Sequence, residues 1–164
     1  MLIYFLRHGD ASSDFKYHEN DRPLTELGSK QAATVGKFLQ FTNTSINIIL
    51  TSPLQRAFDT AKIVQSFIQA PRLQPTDFLV NGSNPKQLFD HMTNLDVESV
   101  LLVGHEPFLS DTISLLIIGN TAATIEIKKC SAALVEAQVP LQPGIGILKQ
   151  LIHINTIAKF IALS

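Results

Sequence analysis

Short continuous runs of apolar residues recur along the first two thirds of the chain. Residues 2–6, 46–50 and 100–103 are almost wholly apolar and rich in β-branched, aromatic and leucine side chains. Runs of this length and composition are typical of strands that are buried on both faces of a sheet. The polar stretch 10–22, which follows the first run, predicts a loop.

Between these runs, apolar and small residues recur with the spacing of helices. The first predicted helix extends to residue 42, with Thr25 as its N-cap. A second helix is predicted with Ser52 as its N-cap and Pro53 as its first residue, ending near Ala70-Pro71. Both helices follow directly on a strand or its loop, as in βαβ units.

The second half of the chain adds two helices and three weaker strand signals. Helices are predicted to begin at Pro85 and to cover residues 107–118, because proline is favoured in the first helical turn. Residues 73–80 predict a short strand, and 132–139 and 145–153 predict two strands joined as a hairpin. No element is assigned to the last ten residues.

This order of elements predicts an α/β protein. Strands that alternate with helices form a largely parallel sheet with helices on both faces, a three-layer α/β/α sandwich. The closing hairpin is expected to add antiparallel strands, so that the sheet is mixed. With 164 residues, of which 45% are hydrophobic, we expect a single domain over residues 1–164.

Charge and cysteine content narrow the classes of function. A net charge of −1 provides no broad attraction to nucleic acid or to anionic membranes. The single cysteine, Cys130, cannot form an internal disulfide, and the chain shows neither a basic leader nor about 20 consecutive apolar residues. We therefore expect a cytoplasmic monomer without nucleic-acid or membrane partners.

Charged and nucleophilic residues occur where three predicted strands end. The segments are Arg7-His8-Gly9, Ser52-Pro53 followed by Arg56, and Gly104-His105-Glu106-Pro107. Because the carboxyl ends of parallel strands lie along one edge of a sheet, these residues should meet in one cleft. Arginine side chains and helix amino termini both bind phosphate oxygens. The pattern therefore predicts a site for phosphoryl transfer.

Four segments in this order resemble the motifs of the histidine phosphatase superfamily. They are Arg7-His8-Gly9, Arg22-Pro23-Leu24-Thr25 with Gly28, Ser52-Pro53 with Arg56-Ala57 and Thr60-Ala61, and Gly104-His105-Glu106-Pro107. The resemblance spans most of the chain. The small size and the lack of a long inserted lid make the chain most similar to the SixA-type phosphohistidine phosphatases.

The resemblance implies the three-layer fold of that family and a phosphatase that needs neither a metal nor a cofactor. It implies that His8 is the nucleophile, which takes the phosphoryl group as a phosphohistidine intermediate. Arg7 and Arg56 would then clamp the phosphate oxygens, while His105 completes the pocket. Arg22, which matches the arginine before the Pro-Leu-Thr segment, would also reach the phosphate. The neutral imidazole that such a nucleophile requires is favoured by neighbouring guanidinium charges.

The general acid departs from the family's pattern. Many members place a glutamate after the second helix to protonate an alcohol leaving group, whereas residues 76–80 here include Asp77 and no glutamate. Asp77 and Asp10, which adjoins the first motif, are the two candidate proton donors. The P–N bond of phosphohistidine breaks readily, so the missing glutamate favours that substrate over an ester.

We therefore predict a phosphatase for phosphohistidine on a protein, such as a histidine phosphotransfer domain or a phosphocarrier. The alternatives are a phosphatase or mutase for small phosphate esters and a non-catalytic phosphoprotein-binding module. An intact His8 argues against the module. The short connection over residues 73–95 argues against a large lid that would enclose a metabolite.

Several candidate residues also have structural interpretations. Arg22 has a second interpretation, a salt bridge to a carboxylate. Ser52 would hold its loop as an N-cap, and Glu106 would flank the start of the next helix. A metal site made of His8, His105 and Glu106 is disfavoured, because nearby arginines repel a cation.

Overall fold

The computed structural model describes residues 1–68, 70 and 72–163, in which six strands form one sheet. The strands are β1 Leu2–Arg7, β2 Ile48–Thr51, β3 Leu73–Pro75, β4 Ser99–Gly104, β5 Ala132–Glu136 and β6 Ile147–Ile152. Their spatial order is β3-β2-β4-β1-β5-β6. The first four strands in chain order are parallel, and β5 and β6 add an antiparallel edge.

Helices cover both faces of this sheet. Within the described residues they are α1 Glu26–Phe41, α2 Gln55–Gln65, α3 Pro85–Thr93, α4 Phe108–Ile118 and α5 Ile154–Leu163. Helices α1, α2 and α5 pack on one face, and α3 and α4 pack on the other. The predicted three-layer α/β/α sandwich with a mixed central sheet is therefore confirmed.

Alternating side chains of the central strands divide the core into two halves. In β1, Ile3 and Phe5 point to the layer of α3 and α4, whereas Leu6 points to the layer of α1 and α2. All six residues of β4 are buried, as expected for a parallel strand covered on both faces. The apolar runs thus place β1, β2 and β4 side by side at the centre of the sheet.

Helix α1 begins as predicted. The Thr25 hydroxyl accepts a hydrogen bond from the backbone N–H of Gly28 at 3.0 Å, which is the N-cap interaction. A Cβ on Gly28 would lie 2.0 Å from the carbonyl oxygen of Asp10. The helix therefore approaches the loop after β1 more closely than any side chain would allow.

The predicted bounds of the second helix are wrong at both ends. Helix α2 begins at Gln55 with Leu54 as its N-cap, so Ser52 is not the cap. Its hydroxyl is instead 2.8 Å from a ring nitrogen of His105, a contact that no local pattern reveals. The helix ends at Gln65, before Ala70-Pro71, of which Pro71 lies outside the described residues. Turns that follow the helix keep Ile68 buried. The helical spacing of apolar residues therefore continues in the sequence beyond the end of the helix.

The closing helix α5 was missed by the apolar pattern. Strand β6 ends at Ile152 and α5 begins at Ile154. No glycine or proline separates the two elements, so the sequence does not mark where the strand ends and the helix begins. Ile157 is fully buried, and the ring of Phe160 meets that of Phe38 edge-on at 5.7 Å. The helix is thereby packed against α1. No helix of the described part of the chain is long and apolar enough to cross a membrane.

Candidate active site

The carboxyl ends of three neighbouring strands bring the motif residues together. Arg7 at the end of β1 is paired in register with Gly104 at the end of β4. On the other side of β4, Thr51 at the end of β2 is paired with Val103. The residues that follow these positions, His8, Ser52 and His105, therefore lie next to one another although they are far apart in sequence. The rings of His8 and His105 have their centroids 5.0 Å apart.

One nitrogen of His8 is assigned by its hydrogen bond. Its Nδ1 lies 2.7 Å from the carbonyl oxygen of Gly9, and because a carbonyl only accepts, Nδ1 carries the proton. In the neutral ring Nε2 therefore holds the lone pair. Burial lowers the pKa of His8 to about 3, and the charges of His105, Arg56 and Arg7 act in the same direction, against the hydrogen bond to Gly9.

The loop that carries His8 is tied to α2. The backbone N–H of Gly9 donates to the Thr60 hydroxyl at 3.0 Å, and that hydroxyl donates to the carbonyl oxygen of Arg56 at 2.7 Å. The loop that carries His8 and the backbone of Arg56 are thus both hydrogen-bonded to Thr60 of the same helix. Thr60 belongs to the third motif, and its place in this chain of hydrogen bonds explains why a hydroxyl is present there.

Glu19 joins the guanidinium groups of Arg56 and Arg22. Its Oε1 lies 2.9 Å from Arg56 Nη2, and its Oε2 lies 3.0 Å from Arg22 Nη1. The Arg56 Nη1 also donates to the backbone carbonyl of Glu19 at 2.7 Å. Hydrogen bonding to Arg22, with further attraction from Arg56, holds the pKa of the Glu19 carboxyl below its usual range. An anion therefore already lies against the buried arginine in the first turn of α2, where a cation opposes the helix dipole.

Arg22 lies at the edge of this group. Its Nε donates to the carbonyl oxygen of Ser12 at 2.6 Å, and its Nη1 contacts both carboxylate oxygens of Glu19. The structure shows the salt bridge to a carboxylate, and the phosphate contact of Arg22 stays a prediction.

Two nitrogens at the junction of β1 and β4 are buried without a hydrogen-bond partner among the described residues. They are Arg7 Nε and His105 Nδ1. Arg7 otherwise donates from Nη1 to the carbonyl oxygen of Ile127 at 3.0 Å. Burial lowers the pKa of His105 to about 4, and Arg56 acts in the same direction. Native proteins seldom leave such groups unpaired, which is consistent with a bound oxyanion at this place.

The two candidate proton donors have different surroundings. Both carboxylate oxygens of Asp10 are occupied, one by Lys129 Nζ at 2.6 Å and the other by the Thr25 hydroxyl at 2.7 Å. The bond from Lys129 is the main reason that the pKa of Asp10 is lowered. Asp77 instead lines a cavity of about 430 Å³ together with Arg56 and His105. The structure thus brings Asp77, and not Asp10, to the open side of the site.

Two residues of the same cavity were missed by sequence reasoning. Glu19 and Asn81 both line it, and the Asn81 side chain donates to the carbonyl oxygen of Glu106 at 3.0 Å. The only sequence signal for Glu19 is its spacing of three residues before Arg22. Asn81 lies in a turn cluster, where asparagine is common for local reasons.

Glu106 does flank the start of α4, as the structural interpretation proposed. Its Oε2 accepts a hydrogen bond from the Ser110 hydroxyl at 2.5 Å, one turn into the helix. Its Oε1 is buried without a partner among the described residues, and burial raises the pKa of this carboxyl. In the part of the chain that is described, no three His, Cys, Asp or Glu side chains are grouped as metal ligands would be.

Comparisons with known proteins identify relatives of this chain. The family model of the histidine phosphatase superfamily (branch 1) matches residues 3–79. An uncharacterised protein of Picosynechococcus is 32% identical over 137 residues, which span 79% of this chain and 81% of that protein. The phosphohistidine phosphatase SixA of Escherichia coli is 29% identical over 128 residues, covering 74% of this chain and 77% of SixA.

Among solved structures, the protein histidine phosphatase SixA complexed with tungstate superposes with a TM-score of 0.84 and 23% identity. The match covers 94% of this chain and 98% of that one. The chain therefore belongs to the histidine phosphatase superfamily. Its class of activity is that of a phosphatase, and it is similar to SixA in both sequence and fold.

The lowered pKa values of the two buried histidines predict how stability depends on pH. Between the ordinary pKa of 6.5 and the folded values of about 3 for His8 and 4 for His105, the unfolded chain binds protons that the folded chain does not. The free energy of unfolding should therefore fall as the pH decreases from 6.5 towards 4. Thermal unfolding midpoints at pH 7 and pH 4.5 measure this fall.

A variant isolates the contribution of one ring. In His8→Asn the fall should be smaller than in the wild type, because the buried ring whose pKa is lowered to about 3 is removed. An equal fall in the wild type and His8→Asn would contradict the lowered pKa.

Proposed function

We propose that this phosphatase removes the phosphoryl group from phosphohistidine on a protein, with His8 as its nucleophile. The observation that carries the proposal is the contact of His8 Nδ1 with the carbonyl of Gly9 at 2.7 Å. This hydrogen bond leaves Nε2 unprotonated in a neutral ring, which lies beside His105 and within the electrostatic influence of Arg7 and Arg56. Nucleophilic catalysis requires such a group, and phosphoryl transfer requires the surrounding positive charge.

In the first step Nε2 of His8 attacks the phosphorus atom. The bond from phosphorus to the substrate's ring nitrogen breaks, and its electron pair stays on that ring, which leaves as neutral imidazole because its other nitrogen carries a proton. The proton on His8 Nδ1 is retained and hydrogen-bonded to Gly9, so the phosphorylated ring is an imidazolium. A cationic ring is a good leaving group for the step that follows.

In the second step a water molecule attacks the same phosphorus. The bond to His8 Nε2 breaks and its electron pair returns to the ring, while the phosphoryl group leaves as dihydrogen phosphate, which carries the oxygen and both protons of the water. Arg7 and Arg56 offer donors to the three equatorial oxygens, over which the charge of the transferring phosphoryl group is spread in the transition state. His105 completes the pocket, and Arg22 reaches the phosphate from the edge, where Glu19 holds it near Arg56.

The leaving group supports phosphohistidine as the substrate. Release of imidazole from a protonated phosphohistidine needs no strong general acid, whereas release of an alkoxide does. Among the described residues no glutamate other than Glu19 lines the cavity, and the pKa of Glu19 is lowered. Asp77 and Glu19 are both exposed, so the phosphoryl group of a protein side chain can approach from this side. Similarity to SixA points to the same substrate.

A second candidate is a phosphatase or mutase for small phosphate esters. The specific observation in its favour is that Asp77 lines the same cavity as Arg56 and His105, where a proton donor to an alcohol would have to lie. If Asp77 has that role, ester hydrolysis depends on it and phosphohistidine hydrolysis does not.

Parallel assays of both substrate classes on Asp77→Asn distinguish these functions. We expect the wild type to prefer a phosphorylated histidine phosphotransfer domain over a panel of sugar and amino-acid phosphates. The variant should lose no more than about threefold on the phosphoprotein and about tenfold or more on any ester that is hydrolysed, since a general acid contributes roughly 10²–10⁴-fold. Asp90→Asn, an exposed change on α3, is the matched control.

Two results would contradict the proposal. A preference for one sugar phosphate by orders of magnitude would make this protein an ester phosphatase. Binding of the phosphoprotein without any release of phosphate would make it a non-catalytic binding module.

A further inference from the structure

Ser52 and His105 form a buried pair beside the proposed phosphate site. The Ser52 side chain is fully buried and that of His105 is 3% exposed. The serine Oγ lies 2.8 Å from Nε2 of the imidazole. The other ring nitrogen, Nδ1, is buried without a partner among the described residues. The two nitrogens of this ring therefore face different surroundings.

The hydrogen bonds around Ser52 distinguish the two tautomers of His105. The serine Oγ already accepts from the backbone N–H of Leu54 at 3.3 Å. Among the described residues, no acceptor other than His105 Nε2 is within reach of the hydroxyl proton. If the hydroxyl donates to Nε2, every polar atom of the pair is satisfied except an N–H at Nδ1. If Nε2 donates instead, the hydroxyl proton is buried without an acceptor, which costs free energy.

We propose that Ser52 is a positioning residue that holds neutral His105 in the tautomer protonated at Nδ1, so that Nδ1 donates a hydrogen bond to the phosphoryl oxygen. The inference rests on the proposed phosphoryl site and extends it to a residue whose sequence context indicated only a helix cap. Ser52 acts through His105 and does not itself touch the substrate.

The neighbouring atoms agree with a donor at this position. Arg7 Nε, the other unpartnered nitrogen at the junction of β1 and β4, is also a donor. Both donors lie where adjacent strands end, since Arg7 is paired in register with Gly104, which precedes His105, and charge-assisted donors of this kind bind the oxygens of a tetrahedral anion. The opposite tautomer would present a lone pair to a phosphoryl oxygen, which is repulsive. A low pKa keeps His105 neutral at pH 7, so the choice of tautomer decides whether the ring attracts or repels the anion.

The tautomer of His105 is measured directly by nitrogen NMR of the imidazole rings in the ¹⁵N-labelled wild type at pH 7. We expect Nδ1 to have the shift of a protonated ring nitrogen and Nε2 that of an unprotonated one. A His105→Asn spectrum assigns the signals among the five histidines. A wild-type His105 that carries its proton on Nε2 overturns the proposal without any variant of Ser52.

Variants of Ser52 test the consequence for anion binding, with tungstate and orthophosphate as probes. Ser52→Ala should bind both about tenfold more weakly, as expected for the loss of one hydrogen bond to a charged group, and its His105 should populate both tautomers. Ser52→Thr retains the hydroxyl and should recover both properties. Thr51→Val is the matched control, because Thr51 is equally buried but its hydroxyl donates to the Ser52 carbonyl and not to His105.

These readouts separate a positioning role from a structural one. A lowered thermal midpoint in Ser52→Ala with an unchanged tautomer and unchanged tungstate affinity would refute the inference. The proposed function fails differently, through an absence of phosphohistidine hydrolysis in the wild type. If Ser52→Ala does not fold, the wild-type spectrum and Ser52→Thr still decide the question.

Discussion

Replacing His8 with alanine should abolish turnover, lowering kcat by at least about a thousandfold, because the phosphoryl acceptor is removed. His8 is 7% exposed and its Nε2 is left unprotonated by the hydrogen bond from Nδ1 to Gly9. The imidazole of His105, at the end of β4, instead has its Nε2 within 2.8 Å of the Ser52 hydroxyl. Phosphate release from a phosphorylated phosphotransfer domain measures the loss.

Trapping of the intermediate makes this result specific to a nucleophile. Rapid quenching of the wild type at alkaline pH should reveal an acid-labile phosphoenzyme that is absent from His8→Ala. The control His18→Ala changes an exposed histidine and should be unaffected. Full activity in His8→Ala, or a phosphoenzyme that persists in it, would refute the assignment.

Replacing Arg56 with alanine should have the second largest effect, a loss in kcat/KM of roughly 10²–10³-fold, which is typical when a donor to the transition-state charge is removed. Its side chain is 7% exposed and lies in the first turn of α2. Arg56→Lys should recover little, because an ammonium group cannot bind two oxygens with the planar fork of a guanidinium. Steady-state kinetics on the phosphoprotein measure both variants.

One control variant and one binding measurement make the Arg56 result specific to the phosphate site. Arg72→Ala changes an exposed arginine at the amino end of β3, away from the carboxyl ends of the strands where the site lies. This variant should leave kcat/KM unchanged. Tungstate affinity should fall in Arg56→Ala together with kcat/KM. If kcat/KM of Arg56→Ala equals that of the wild type, the guanidinium of Arg56 does not belong to the phosphate site and only pairs with Glu19.

Glu19 shows why part of the site could not be predicted. It lies in a polar loop, and a carboxylate in such a loop is usually solvated. Its significance arises only because the loop folds back across α2, where the carboxylate lies 2.9 Å from Arg56 and 3.0 Å from Arg22. No local spacing encodes a contact across 37 residues.

Ser52 illustrates the opposite difficulty, a local rule that predicts the wrong partner. A serine before a proline has the sequence of a helix N-cap, and its Oγ does accept a bond from Leu54. The helix nevertheless begins at Gln55, because the backbone of Leu54 is still extended, with φ −63° and ψ 133°. The serine hydroxyl thereby remains at the level of the strand ends, within reach of a histidine from the next strand.

The sequence by itself determined the layers of the fold and the edge of the sheet at which the chemistry lies. Buried strands and amphipathic helices are encoded by local patterns of apolar residues, and parallel strands always present their carboxyl ends on one side. Only the tertiary structure decided which atoms of His8 and His105 are free, what neutralises Arg56, and that Asp77 rather than Asp10 faces the cavity. These properties depend on contacts between distant segments, whose distances are set by packing and not by local spacing.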